Sequence, residues 1–256
     1  MGPIEIGVQL YTLRNEMSID VEKTLREVAK LGFTGVEFAG YYGWSGHQLK
    51  QLLDELGLQA IGCHVSIQNL REDLQGEIDT LRTLGAHYLI CPYIGVDDRS
   101  SADDWLRIIT DLHQVGEEAF NQGLQFLYHN HDFEFHTRIN NEFVFDVIYQ
   151  STSPSHVHVE LDVCWVQYAG QDPIAYIHKY AGRLPIIHAK DFNKHADGRI
   201  QTLELGLGEV PLDGVIAASK QAGVKWFVIE QDVCQKEPFV SIANSLKWLK
   251  SKDLSI

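Results

Sequence analysis

Short runs of β-branched and apolar residues alternate with longer amphipathic stretches from one end of the chain to the other. This is the pattern of repeated βα units. Ile4–Leu10 reads as a first strand, and a helix is expected from about Ser18 to Leu31. Asp20 and Glu22 stand near its start, Val21, Leu25, Val28 and Leu31 follow at helical spacing, and Gly32 is its stop. The unit recurs as Gly35–Phe38 with His47–Leu56, Leu58–His64 with Glu72–Leu84, and His87–Cys91 with Ala102–Gln122. Each of these helices is closed by a glycine: Gly57, Gly85 and Gly123. Leu124–Asn130 pairs with a short helix near Phe143–Gln150, and His156–Asp162 with a helix opening at Pro173, where proline suits a first turn. Leu184–Ala189 leads through a long polar loop to Leu212–Ala222, and Trp226–Gln231 leads to Pro238–Lys250. Eight such units fill residues 1–256 without a linker, which predicts one α/β domain, a (β/α)8 TIM barrel closed by eight parallel strands. A doubly wound open sheet is the competing architecture, but the first βα turn carries no GxGxxG phosphate loop.

A barrel of this kind works at the C-terminal ends of its strands. The runs YHNHDFEF, VHVELD, LPIIHAKD and WFVIEQD bring Glu134, Asp162, His188 and Glu230 to that end. Three carboxylates and one imidazole there form an oxygen-and-nitrogen cage suited to a divalent metal. The competing reading is ordinary loop polarity, which explains one or two acidic strand ends more readily than four. Period-two alternation places further polar groups inside the barrel. His158, Glu160 and Asp162 share a face, as do His188 and Lys190, and as do Ala60, Gly62 and His64; Glu37 pairs with Gly35. Buried ionised groups need partners, so Glu160 reads as the counter-charge of a lysine or histidine. Glu37, His64 and Lys190 are candidates for substrate contact or for internal ion pairs. His129 and His131 share a strand face and could be ligands, substrate contacts or bonded core histidines. Trp165, three residues after Asp162, is the best candidate for an aromatic wall against a sugar ring.

The net charge of −14 argues against a nucleic-acid or anionic-membrane partner. Cys63, Cys91, Cys164 and Cys234 are widely spaced with no CxxC, which suggests neither a zinc knuckle nor a disulfide framework. No apolar stretch is long enough to span a bilayer, and no signal peptide is recognisable, so a cytoplasmic setting is expected.

The segments HNHDFEF, LDVCWVQYAG, HAKDF, LGLGEVPLDGV and VIEQD, with IGVQLYTLR and GFTGVEFAG before them, resemble the sugar isomerase/epimerase superfamily with its xylose-isomerase-like barrel. The resemblance is to the branch holding inosose dehydratases and keto-glycoside epimerases, and it spans nearly the whole chain. It implies one divalent metal, most often manganese, with zinc, cobalt or magnesium as alternatives, held by a Glu, an Asp, a His and a second Glu. Asp162, His188 and Glu230 match three of those positions. For the first, ketose 3-epimerases have a Glu within the fifth strand where this chain has Leu127, so Glu134 is the matching carboxylate and His131 its fallback. Trp165 stands where that epimerase branch has a substrate-binding histidine. The family tendency to form dimers or tetramers is carried over by analogy alone.

The expected activity is metal-dependent isomerisation or epimerisation of a sugar, keto-sugar or sugar phosphate. The proton next to a carbonyl leaves, giving a metal-stabilised enediolate, with Glu134 and Glu230 as the acid–base pair. His64, His129, His131, Trp165, Lys190 and Glu37 are the expected substrate contacts. Loss of a β-hydroxyl from the same intermediate, as in a keto-inositol or keto-glycoside dehydratase, is the alternative. A metal-dependent endonuclease and a non-catalytic sugar-binding barrel are further alternatives. The acidic balance opposes the endonuclease.

Overall fold

The computed structural model describes residues 3–252. Eight strands close into a barrel: β1 Glu5–Gln9, β2 Gly35–Phe38, β3 Gln59–His64, β4 Tyr88–Cys91, β5 Gln125–His129, β6 Val157–Asp162, β7 Ile186–Ala189 and β8 Trp226–Ile229. Each strand pairs in parallel with its sequence neighbours, and β1 pairs with β8 to complete the ring. The flanking helices form where the apolar spacing predicts them, with two breaks set by aspartates. Asp20 accepts a hydrogen bond from Lys23 N at 2.9 Å, so Arg14–Ile19 and Val21–Leu31 are separate helices. Asp73 likewise caps Leu74–Leu84 through Gly76 N and splits it from Ile67–Glu72.

Two ribbons replace stretches that look like plain loop in the sequence. Asp191–Lys194 pairs antiparallel with Ile200–Leu203, and Arg138–Ile139 pairs with Glu142–Phe143. A short helix, Val163–Tyr168, also starts at the end of β6, with Asp162 Oδ1 accepting from Trp165 N at 3.1 Å.

The barrel interior is layered. Its floor is apolar: Ile61, Tyr88, Ile90, Leu127, Ile186, Trp226 and Val228 pack together. Strict alternation would point Ile61 outward with Cys63. A register shift opposite Val36 and Glu37 turns it inward instead, below His64. Room for that plug comes from two glycines. A Cβ on Gly7 would collide with Ile61 Cδ1, and one on Gly35 would lie 2.7 Å from the Trp226 ring. Above the floor the layer is polar and buried: Gln9, Glu37, His129, Glu160 and His188. Among the described residues no helix is long and apolar enough to cross a membrane.

Candidate active site

Two carboxylates inside the barrel organise three imidazoles. Glu37 Oε1 accepts from Gln9 Nε2 at 2.7 Å and lies 2.8 Å from His188 Nε2 and 3.0 Å from His64 Nε2. Glu160 Oε2 lies 2.9 Å from His64 Nε2, 3.0 Å from His129 Nδ1 and 3.3 Å from His188 Nε2. Burial opposes ionisation of both acids, and Glu37 adds to that penalty at Glu160. The His188 and His64 imidazoles outweigh it, holding Glu37 far below the usual range and Glu160 at about 2. The same pairs overcome the desolvation of His64 and raise it to about 9.

Each of two histidines therefore spends one nitrogen on this inner layer and turns the other toward the barrel mouth. His129 Nε2 lies 3.9 Å from Asp162 Oδ2, and His188 Nδ1 lies 3.0 Å from Glu230 Oε2. The donor atoms of His129, Asp162, His188 and Glu230 all lie within 4.8 Å of one another. Beside them the buried Lys190 Nζ lies 3.0 Å from Asp162 Oδ2, 2.8 Å from Glu230 Oε2 and 3.0 Å from Asp232 Oδ2. Burial raises Asp162 to about 6 against the pull of Lys190, whereas Lys190 and His188 overcome burial at Glu230 and keep it ionised.

Three of the four residues expected to form the cage thus converge, and Glu134 does not. The chain turns after His129, and Phe133–Phe135 forms a single 3-10 turn that points Glu134 back behind β5. There its carboxyl accepts from Tyr128 Oη at 2.6 Å and from His131 N at 2.9 Å. His129 takes the place at the end of β5 instead, not the fallback His131. His131 lines the cavity, stacked on Phe133 and 5.5 Å from Trp165, and burial with Lys190 nearby pushes it down to about 3. Glu37 is also corrected: it is fully buried beneath the imidazoles and does not line the cavity. Trp165 borders a neighbouring groove with the 191–203 ribbon, joined to the main cavity at Asp232.

The cavity has a volume of about 750 Å³ and opens at the C-terminal ends of the strands; His64, His129, His131, Lys190, Glu230 and Asp232 are in its wall. Asp232 and Gln9 are functional candidates that sequence reasoning passed over. Period two marks both, since Asp232 follows Glu230 by two residues and Gln9 follows Gly7. Cys63 also borders the cavity, and burial pushes its thiol up to about 12, so it is a neutral wall group and no nucleophile. Beyond the cage, the Asp191 carboxylate accepts backbone N–H bonds from Phe192, Gly206, Gly208 and Val210 at 2.8–3.1 Å, which ties the loop after β7 to the strand end.

The corrected Glu134 carries its own prediction. Burial raises it to about 8 despite the bond from Tyr128. A carboxyl raised on folding stabilises fully below its unfolded value near about 4.3, and that contribution is lost as pH rises through the folded value. The melting temperature of the wild type is therefore expected to fall relative to Glu134→Gln between pH 5 and pH 9. A difference that stays constant across this range would show the carboxyl ionised throughout.

The family model for the xylose isomerase-like TIM barrel matches residues 25–252, and the chain belongs to that family. Inosose dehydratase 2 of Bacillus cereus is 25% identical over 270 residues, covering 90% of this chain and 89% of that protein. A sugar phosphate isomerase/epimerase from Parabacteroides distasonis ATCC 8503 shares the fold with a TM-score of 0.84, at 22% identity over 100% of both chains. A zinc-bearing IOLI protein shares it with a TM-score of 0.80, at 14% identity over 97% of this chain and 98% of that one. Sequence relatives of the chain thus include inosose dehydratases, and proteins that share its fold include a sugar phosphate isomerase/epimerase.

Proposed function

We propose that the protein is a divalent-metal-dependent enzyme that moves a proton next to a carbonyl of a carbohydrate, with isomerisation or epimerisation as the outcome. The observation that carries this reading is the convergence of His129, Asp162, His188 and Glu230 beside Lys190 in one cavity at the working end of the barrel. The donors suit a metal. Asp162 Oδ2 is buried and accepts no hydrogen bond, facing the Lys190 ammonium. Glu37, Glu160, Asp162 and Glu230 are four carboxylates, while Lys190 and His64 are the two side chains that would keep a proton beside a bound cation. With Asp232 also on Lys190, the acids outnumber these two cations by three, an excess of negative charge that a divalent ion would reduce. Two imidazoles with two carboxylates favour manganese, cobalt or zinc over magnesium, which prefers an all-oxygen shell.

When bound, the ion would act as a Lewis acid on a substrate carbonyl and its neighbouring hydroxyl. Glu230, kept ionised by Lys190 and His188, takes the proton from the adjacent carbon. Lys190, held by three carboxylates, steadies negative charge on the substrate oxygens. His131, neutral and in the cavity wall, exchanges protons with those oxygens. Return of that proton by Glu230 to the neighbouring carbon is isomerisation. Epimerisation takes a second proton, delivered to the same carbon from the opposite face by water in the open cavity while Glu230 gives its own proton up to solvent.

Likeness to inosose dehydratases over nine-tenths of the chain supports a second reading, loss of a β-hydroxyl from the same carbanion. Incubation in D2O with ketoses, keto-inositols and keto-glycosides separates the two. Deuterium at carbon with no loss of water is the expected result, and a dehydrated product would replace it with the second reading. Neither exchange nor turnover across the panel would sink both.

A further inference from the structure

The cavity extends beyond the cage to a wall that the proposed chemistry leaves unused. Tyr41, on the loop after β2, donates a hydrogen bond from its hydroxyl to Glu77 Oε2 at 2.9 Å. Asn69 and Ser66, from the segment after β3, stand in the same wall, together with the ring of Tyr11 and that of Tyr93. Tyr42, next to Tyr41, has a φ of 52°, a left-handed conformation that a bulky residue rarely adopts. That wall offers carboxylate and amide acceptors, amide donors and aromatic faces, the equipment that reads hydroxyls and C–H faces of a polyol.

Charge narrows the ligand further. Among the described residues Lys190 is the sole lysine or arginine in the wall of this cavity, and Asp162, Glu230 and Asp232 already surround it. Arg14 and Arg99 pack on Tyr11 and Tyr93 but point elsewhere. Arg14 donates to the carbonyls of Tyr11 and Asp232, and Arg99 donates to the carbonyl of Ile94 and covers the Phe133 ring. Glu77 and Asp232 add negative charge to the same space. Within this cavity a phosphate would meet mainly carboxylates, and Arg199, in the adjoining groove past Asp232, is already paired with Asp197. The volume also exceeds what one ring at the cage fills, since pockets of about 300–1,000 Å³ hold drug-sized ligands.

We propose that Tyr41, Asn69 and Glu77 form a second subsite in the cavity, which takes the hydroxyls of a second sugar or polyol unit. The substrate is then an uncharged compound of two linked units and not a sugar phosphate. The inference rests on the proposed carbohydrate chemistry for its setting, but its test reads binding and needs no turnover. Calorimetric titration of the metal-loaded protein with cellobiose, glucose and glucose 6-phosphate compares two units, one unit and one charged unit. Cellobiose is expected to bind about tenfold tighter than glucose, the gain from two or three added hydrogen bonds, and glucose 6-phosphate more weakly than glucose. In Asn69→Ala and Glu77→Ala the advantage of cellobiose should shrink to less than about threefold while glucose binding stays unchanged. Cellobiose binding no tighter than glucose, or undetectable, overturns the subsite, as does an advantage that survives both substitutions. Glucose 6-phosphate binding as tightly as glucose overturns the uncharged substrate. Failure of deuterium exchange, by contrast, bears on the chemistry at the cage alone.

Discussion

Replacing Glu160 with glutamine is expected to weaken metal retention by about 10- to 100-fold, although Glu160 touches no metal in the proposed site. The reason is its grip on His129: Glu160 Oε2 lies 3.0 Å from Nδ1, which leaves Nε2 free to face Asp162. A carboxylate on the far nitrogen fixes the tautomer, sets the ring plane and makes the near nitrogen more basic. Glutamine keeps the shape but loses the charge, and its amide nitrogen would take the place of Oε1, which has no hydrogen-bond partner. Breaking a buried ion pair also costs on the order of 3 kcal/mol of stability, so the comparison belongs well below the melting point. Chelator competition gives the dissociation constant, and the visible absorption of the cobalt-loaded protein reports the coordination geometry. Unchanged affinity with an unchanged cobalt spectrum would reduce Glu160 to a counter-charge for His64.

Larger still is the effect expected at the cage. Asp162→Asn and Glu230→Gln should each abolish tight metal retention and lower turnover by about 10³-fold or more, the combined loss of a Lewis acid and, for Glu230, of the base. Elemental analysis after stripping and reloading is the direct measurement. The wild type should retain about one manganese, cobalt or zinc ion per chain, as a set of four donors implies, and both variants close to none. Full metal content in either variant would remove that residue from the cage. A wild type that retains no ion under any loading condition would remove the metal chemistry altogether.

How far the sequence reaches differs between barrel and site. Strands were legible because each is a short apolar run ended by polar residues, and helices because glycines such as Gly32, Gly57 and Gly85 stop them in left-handed turns. The ends of β6, β7 and β8 were legible too, since alternation along one strand decides which of Asp162, His188 and Glu230 faces inward. The end of β5 was not. Whether His129 or Glu134 meets Asp162 depends on where the strand stops, and on the pairing of Leu127 with His158 and His129 with Glu160. That register is a relation between strands, which periodicity within one strand cannot supply. The position of Ile61 escaped for a similar reason, because a bulge breaks the period it was read from. The 191–203 ribbon escaped because Asp191, Asn193, Lys194, Gln201 and Thr202 break the apolar run by which a strand is read, although Phe192 is buried in the core.

The bonds that Asp191 makes have a consequence for how such a protein can change over time. One carboxylate holds four backbone N–H groups, so the loop after β7 cannot drift without losing several bonds at once. Among the described residues the loops after β2 and β3 are held in the cavity wall by single side-chain contacts, such as Tyr41 to Glu77 and Ser66 to Asn69 N, and not by one carboxylate that gathers several backbone groups. Mutation can therefore exchange residues on one side of the mouth while the side bearing His188 and Lys190 keeps its shape. New ligand preferences would arise by substitution in the first half of the chain, with the reacting groups inherited unaltered from the second.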